Sequence, residues 1–152
     1  MKTHTSDIFE TISRDKPDVF VWLGDVAYTD HPLHFAPMGV DYIKDRYDQT
    51  RNALGYSKLA EKTKIVGVWD DHDFGTNDGG RHFPHKQQNR DFWLDFIGEA
   101  IDSERRLQKV SPIHQDYFIT KGSTTVHLIL LDNRFENDND SLFGSGDVLG
   151  ED

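Results

Sequence analysis

A mixed α/β domain is the fold class this sequence predicts, and three observations predict it. Short apolar runs, DVFVWL at 18–23 and KIVGVW at 64–69, read as buried strands. They alternate with stretches of helical period, the pattern that builds sheet-and-helix layers. The third observation is a recurring punctuation: the apolar runs 18–23, 65–69 and 125–131 end in Asp25, Asp70 and Asp132. In open α/β sheets, ligands bind beyond the carboxyl ends of the strands. If the three strands are parallel neighbours, their acids converge on one edge and favour a metal or phosphate there.

The elements follow in order. TSDIFETISRD (5–15) predicts a short helix, with Thr5 or Ser6 as N-cap and Ile8, Phe9 and Ile12 on one face. Pro17 ends it, and the 18–23 strand closes on Gly24-Asp25. VAYTDHPLHFAPMGV (26–40) carries two prolines and no periodicity, so it is a loop. DYIKDRYDQTRNALGY (41–56) predicts a helix with Ile43, Tyr47 and Leu54 near one face and Gly55 as C-cap. The strand at 64–69 leads into the Gly- and Asn-rich loop 74–85. Residues 86–102 form the clearest amphipathic helix, through Phe92, Trp93, Phe96, Ile97, Ala100 and Ile101. Residues 116–134 predict a hairpin about Lys121-Gly122-Ser123, its second arm long and buried. The rest, FENDNDSLFGSGDVLGED, is polar and Gly-rich.

Composition narrows the chemistry. The 152 residues suit one ordinary domain with a core. With 27 Asp plus Glu against 17 Lys plus Arg, the net charge is −10, which disfavours nucleic acid and anionic membrane and suits cations. A phosphate substrate would need an intervening metal. The chain has no cysteine, which excludes disulfides, zinc thiolates and thiol catalysis. No stretch has the length of a membrane span, and MKTHTSDIFE has no apolar signal core. Oligomeric state is not readable.

Two constellations carry chemistry. In GDVAY, Gly24 lets the backbone approach a ligand, Asp25 can bridge cations and Tyr28 can bind a hard cation through its phenolate. The same residues also read as a turn start and a packed ring. WDDHDFGTND is more specific. Asp70, Asp71, His72 and Asp73 are four consecutive titratable residues at a strand end. A helix cap needs one aspartate, whereas a cation turns the repulsion among several into attraction. His72 suits a ligand role or proton transfer to a leaving group. Asp70 is placed to orient a ligand. Asn77 and Asp78 line the pocket or make simple turn chemistry. His82 and His85, in a loop, read as surface histidines. Arg134 faces substrate phosphate or pairs with Asp132, the ion pair being favoured.

GDVAYTD, VWDDHDFGTNDGG, LILLDNR and GDVLGED, in that order, resemble the PhoD-like (alkaline phosphatase D) family of metallophosphatases, within the calcineurin-like phosphoesterases. The resemblance spans about residues 17–152. It implies a calcineurin-like layered α/β fold and hydrolysis of phosphoester substrates by a metal-bound hydroxide. It implies a di- or trinuclear centre, with iron and calcium favoured and other divalent cations possible. By the same resemblance Asp25, Tyr28 and Asp71 are metal ligands and His72 is the catalytic histidine. Family members are often exported.

The family also carries an upstream strand with a first metal ligand and a downstream Gly-Asp-x-His segment. The expectation is therefore an internal piece, incomplete at both ends, supplying three or four of the roughly six to eight ligands that a dinuclear centre needs. Weak metal affinity follows, and the competing expectation is a remnant or cation-binding module without turnover. ENDNDSLFGSGD fails as an EF-hand calcium loop, because Leu142 and Phe143 stand where an acid or amide and a glycine belong.

Overall fold

The computed structural model describes residues 7–30, 38–53, 55–108, 111–138 and 147–149. The fold is mixed α/β, with two small sheets among helices. The helix α1 (Asp7–Arg14) precedes β1 (Val19–Leu23), whose Val, Phe and Trp suit an extended, half-buried backbone. Its expected caps Thr5 and Ser6 lie outside the described residues. After the loop come α2 (Val40–Arg51) and α3 (Tyr56–Ala60), then β2 (Lys64–Val68). β1 and β2 pair in parallel, Val19 opposite Lys64 through Leu23 opposite Val68. The strand ends carrying Asp25 and Asp70 therefore lie side by side, as the alternation predicts.

Helix boundaries differ from expectation in two places. α2 stops at Arg51 with Asn52 as its C-cap, and Gly55 instead starts α3 as its N-cap. The expected Leu54 contact falls on a residue outside the described set. The long amphipathic helix is α5 (Lys86–Phe96), which ends six residues short of the expected 102. Gly98 at φ +74° and a bond from Glu99 N–H to Leu94 O at 2.8 Å close its last turn in the Schellman manner. Ile101 is consequently 84% exposed. A short α6 (Glu104–Leu107) follows, capped by Ser103.

The hairpin forms as β3 (Gln115–Lys121) and β4 (Thr124–Leu130), antiparallel about Gly122-Ser123. It makes its own two-stranded sheet. The three apolar strands are thus not parallel neighbours. Nor is β4 a buried strand: only Leu130 is buried, while Val126 and Ile129 are exposed. The hairpin docks through a few side chains. Lys64 lies over the Tyr117 ring, Arg105 donates to the Tyr117 hydroxyl, and Lys121 pairs with Asp18.

The core is aromatic. Rings run in contact from Phe9 through Tyr56, Phe96, Tyr47, Trp93, Trp69 and Phe74 to Phe83. Tyr56 and Phe96 stack at 5.3 Å between centroids, and the other pairs meet edge-on or tilted, the geometries ring quadrupoles favour. α2 packs on α5 and α1 on α3 around this chain of rings. The core thereby reaches from the N-terminal helix to the foot of the loop that follows β2. Among the described residues no helix is long and apolar enough to cross a membrane.

Candidate metal centre

Two loops meet at the carboxyl ends of β1 and β2. The first turns at Gly24, whose φ is +97° and whose added Cβ would stand 2.5 Å from Asp70 Cβ. Only glycine permits this approach. Asp25 and Tyr28 follow at φ +55° and +38°, and Asp78 of the second loop has φ +55°. Non-glycine residues held in this left-handed region gather where surrounding structure over-determines them, as at functional sites.

Asp73 joins the loops. It has no exposed surface, and its Oδ1 accepts the Val26 and Ala27 N–H groups at 2.7 Å each. Its Oδ2 accepts the Asp70 N–H at 3.2 Å, the carboxylate half of a capping box on α4 (Asp71–Phe74). Thr29 and Tyr47 donate to the Asp73 carbonyl from either side, and Asn89 Nδ2 joins them. Burial pushes the Asp73 carboxyl up to about 6 against the pull of those backbone donors. The acid run is therefore also a helix start. Asp70 is the N-cap residue and Asp73 the buried clamp, roles that the sequence reading set aside in favour of a cation.

The other side of the same run is different. Asp25, Asp71 and His72 bring one ligating atom each within 4.8 Å of one another, the one such group of three among the described residues. Asp71 is held from behind, with Oδ2 accepting the Asp78 N–H at 2.9 Å and Oδ1 the His72 N–H at 3.0 Å. Burial raises the Asp71 pKa, but the Asp78 N–H, Arg134 and His72 outweigh it and hold it below the ordinary value. His72 stacks on Tyr28 at 4.6 Å, and its Nδ1 meets Asp30 Oδ2 at 2.7 Å. Desolvation lowers the His72 pKa, yet the Asp30 hydrogen bond and charge, with Asp71 and Asp25, leave it raised. With Nδ1 engaged, Nε2 is the nitrogen left for a ligand or a proton.

Tyr28 reaches the group through its hydroxyl, which donates to Asp25 Oδ2 at 3.4 Å. The Asp25 charge, aided by slight desolvation, raises the Tyr28 pKa. The phenol is thus neutral until a cation replaces its proton. Arg46 Nε anchors the Tyr28 carbonyl at 3.2 Å.

Of the residues expected around this centre, Asn77 donates to Asp78 Oδ2 and so braces the loop that holds Asp71. His82 is exposed and His85 is the half-buried N-cap residue of α5, so neither joins the group. Arg134 does not pair with Asp132 through its side chain. Its guanidinium meets Asp70 Oδ1 through Nε at 2.7 Å and Nη2 at 2.6 Å. Only its backbone N–H goes to Asp132. Asp132 is buried away from the centre. It accepts from Trp69 Nε1, Ile113 N–H and Phe135 N–H, because β4 lies outside the β1–β2 sheet.

Asp30 was not singled out by sequence reasoning. Its signal was present: an acid two residues beyond Tyr28 in GDVAYTD. The pairing with His72 across 42 residues is decided by the fold alone. A cavity of about 690 Å³ opens at the other end of β2, lined by Tyr56, Thr63, Lys64 and Tyr117 among others. Among the described residues it holds no group of three ligating side chains.

Two carboxylates and an imidazole so placed fit one divalent cation of the borderline class. No family model, curated protein or solved structure matches this chain.

Proposed function

We propose that the protein binds a divalent cation at Asp25, Asp71 and His72 and hydrolyses phosphoesters there, in the manner of the PhoD-like metallophosphatases that its motifs resemble. The observation that carries the reading is the convergence of those three side chains within 4.8 Å at the ends of two parallel strands. Tyr28 adds a hydroxyl beside Asp25, which fits a harder cation such as iron. A second cation such as calcium would need donors beyond these, and iron and calcium rest on the resemblance.

A cation bound here would neutralise phosphate charge and activate water. The chain's own residues do the rest. Asp71 is fixed by two backbone N–H groups, so its geometry is set before a cation arrives. Asp30 engages Nδ1 of the His72 ring and leaves Nε2 as the nitrogen that would hold the cation. Asp73 keeps Val26 and Ala27, and with them Asp25, against α4.

A second reading, cation binding without turnover, is favoured by the ligating side chains among the described residues, three where a dinuclear centre needs about six to eight. Hydrolysis of p-nitrophenyl phosphate, with and without chelator, separates the two. Activity that chelator abolishes and that falls at least about a hundred-fold in Asp25→Asn and His72→Ala supports the hydrolase. Activity indifferent to chelator, or intact in both variants, overturns it. Manganese binding without hydrolysis leaves the second reading.

A further inference from the structure

The centre gathers acids: Asp25, Asp30, Asp70, Asp71, Asp73 and Asp78 all belong to its two loops. One guanidinium reaches into them from a third segment. Arg134 spans 64 residues to meet Asp70, the residue immediately before Asp71. Its charge is felt at Asp71. Asp70 takes only the side-on edge of the guanidinium, Nε and Nη2, through a single oxygen. The end-on edge, Nη1 with the second hydrogen of Nη2, has no partner among the described residues. That edge is the fork that matches two oxygens of a phosphate.

The backbone beneath Arg134 is fixed on both sides. Its own N–H and that of Phe135 donate to Asp132 Oδ1, at 2.9 and 3.0 Å. Phe135 has no exposed surface, and Lys86 lies over its ring at 4.1 Å while donating to its carbonyl. Arg81 donates to the Glu136 carbonyl, and its N–H to that of Asn137. A long cationic side chain on so firmly held a base loses little freedom when it takes up an anion.

We propose that Arg134 is the anion-receiving residue of the centre, binding the phosphate oxygens of substrate and product through its free end-on edge while Asp70 holds the guanidinium in position. The inference rests on the function proposed above. It adds that Asp70 and the incoming phosphate share one guanidinium.

Two titrations of the full chain test it: manganese alone, then inorganic phosphate at saturating manganese. Wild-type protein is expected to bind both. Arg134→Gln is expected to weaken phosphate roughly ten- to hundred-fold, the range for one charge-assisted contact, and to leave manganese unchanged or a few-fold tighter, because a positive charge has left the neighbourhood. Arg134→Lys restores part of the phosphate affinity. Asp70→Asn retains Arg134 and removes its competitor, so phosphate binds a few-fold tighter at saturating manganese. This variant decides the matter if Arg134→Gln does not fold. Unchanged phosphate affinity in Arg134→Gln, a parallel loss of manganese and phosphate, or no gain in Asp70→Asn overturns the assignment. Failure of wild-type protein to bind manganese overturns the proposed function, and this inference with it.

Discussion

The ends of β2 and β4 carry the same punctuation, an apolar strand closing on aspartate, and the fold puts them to opposite uses. At the end of β4, Asp132 is sealed inside and both its oxygens are spent on N–H donors from three segments. At the end of β2, the acids divide. Asp73 is sealed inside like Asp132, while Asp71, itself buried and braced by two N–H groups of its own loop, and Asp25, exposed at the neighbouring strand end, each bring an oxygen beside His72. Backbone donors decide the difference. A carboxylate whose oxygens are spent on buried donors from distant segments is a structural acceptor, and one that keeps lone pairs beside a histidine is available to a cation.

The largest effect that sharpens this contrast is expected at Asp132. Asp132→Ala leaves four donors, Trp69 Nε1 and the N–H groups of Ile113, Arg134 and Phe135, without an acceptor. A loss of about 3–5 kcal/mol in urea unfolding is expected, at roughly 1–3 kcal/mol for each stranded buried group and less than additive. A loss below about 1 kcal/mol would show that Asp132 is not the clamp described.

Asp73 comes next and is read through pH. Its carboxyl titrates near 6 when folded, above the ordinary carboxylate value. The folded state therefore holds its proton more tightly than the unfolded chain. The stability that this provides is complete below the unfolded value, about 3.9, and is lost as pH rises through about 6, amounting to some 2–3 kcal/mol. Chemical unfolding of wild type and Asp73→Asn between pH 4 and 7, in chelator, should show the slope in the first and a flatter profile in the second. Equal slopes would place the titration elsewhere.

Asp25→Asn reverses the pattern of Asp132. Asparagine tolerates the φ of +55°, and the side chain is exposed, so the melting temperature should move by no more than about 2 °C. Manganese affinity should nonetheless fall at least about ten-fold by calorimetric titration. If stability fell and affinity held, Asp25 would belong with the structural acids.

Asp30→Asn removes the partner that, against desolvation, holds the His72 pKa up. The NMR titration midpoint of His72 should fall toward or below the ordinary histidine value. The wild-type pair contributes about 1 kcal/mol or less at its partly buried site. That contribution is complete below the unfolded histidine pKa and is lost as pH rises through the folded one. An unmoved midpoint would mean that Asp30 does not set the protonation of His72.

The smallest effect belongs to the hairpin. Lys121 and Asp18 pair at 2.7 Å with both side chains largely exposed, so Lys121→Ala should change stability by under about 0.5 kcal/mol. A larger loss would give the hairpin a hold on the β1–β2 sheet that its exposed contacts do not suggest.

Much of the centre was legible because it is local. Asp25 with Tyr28, and Asp71 with His72, are neighbours in the chain, and the apolar runs before them place both groups at strand ends. What was not legible depends on distant segments. Gly55 satisfies the pattern of a helix C-cap yet caps the next helix, because α2 ends four residues before it. The long run through Ile101 keeps a helical period that tertiary packing stops using after Phe96. Arg134 had an acid two residues away and took one 64 residues away.

The sequence by itself determined that short apolar strands end in acids and that two of those ends carry a tyrosine, a histidine and clustered carboxylates. Periodicity and turn chemistry are short-range, so they are written in consecutive residues. Only the tertiary structure decided which carboxylates are gathered beside His72 and which are clamps. That choice turns on backbone N–H groups brought from 46 and 47 residues away to Asp73, and on an indole from 63 residues away to Asp132. Four identical side chains thus acquire different surroundings, because Asp73 and Asp132 spend their oxygens on donors that include distant segments, whereas Asp25 is exposed and Asp71 is braced only by N–H groups of its own loop.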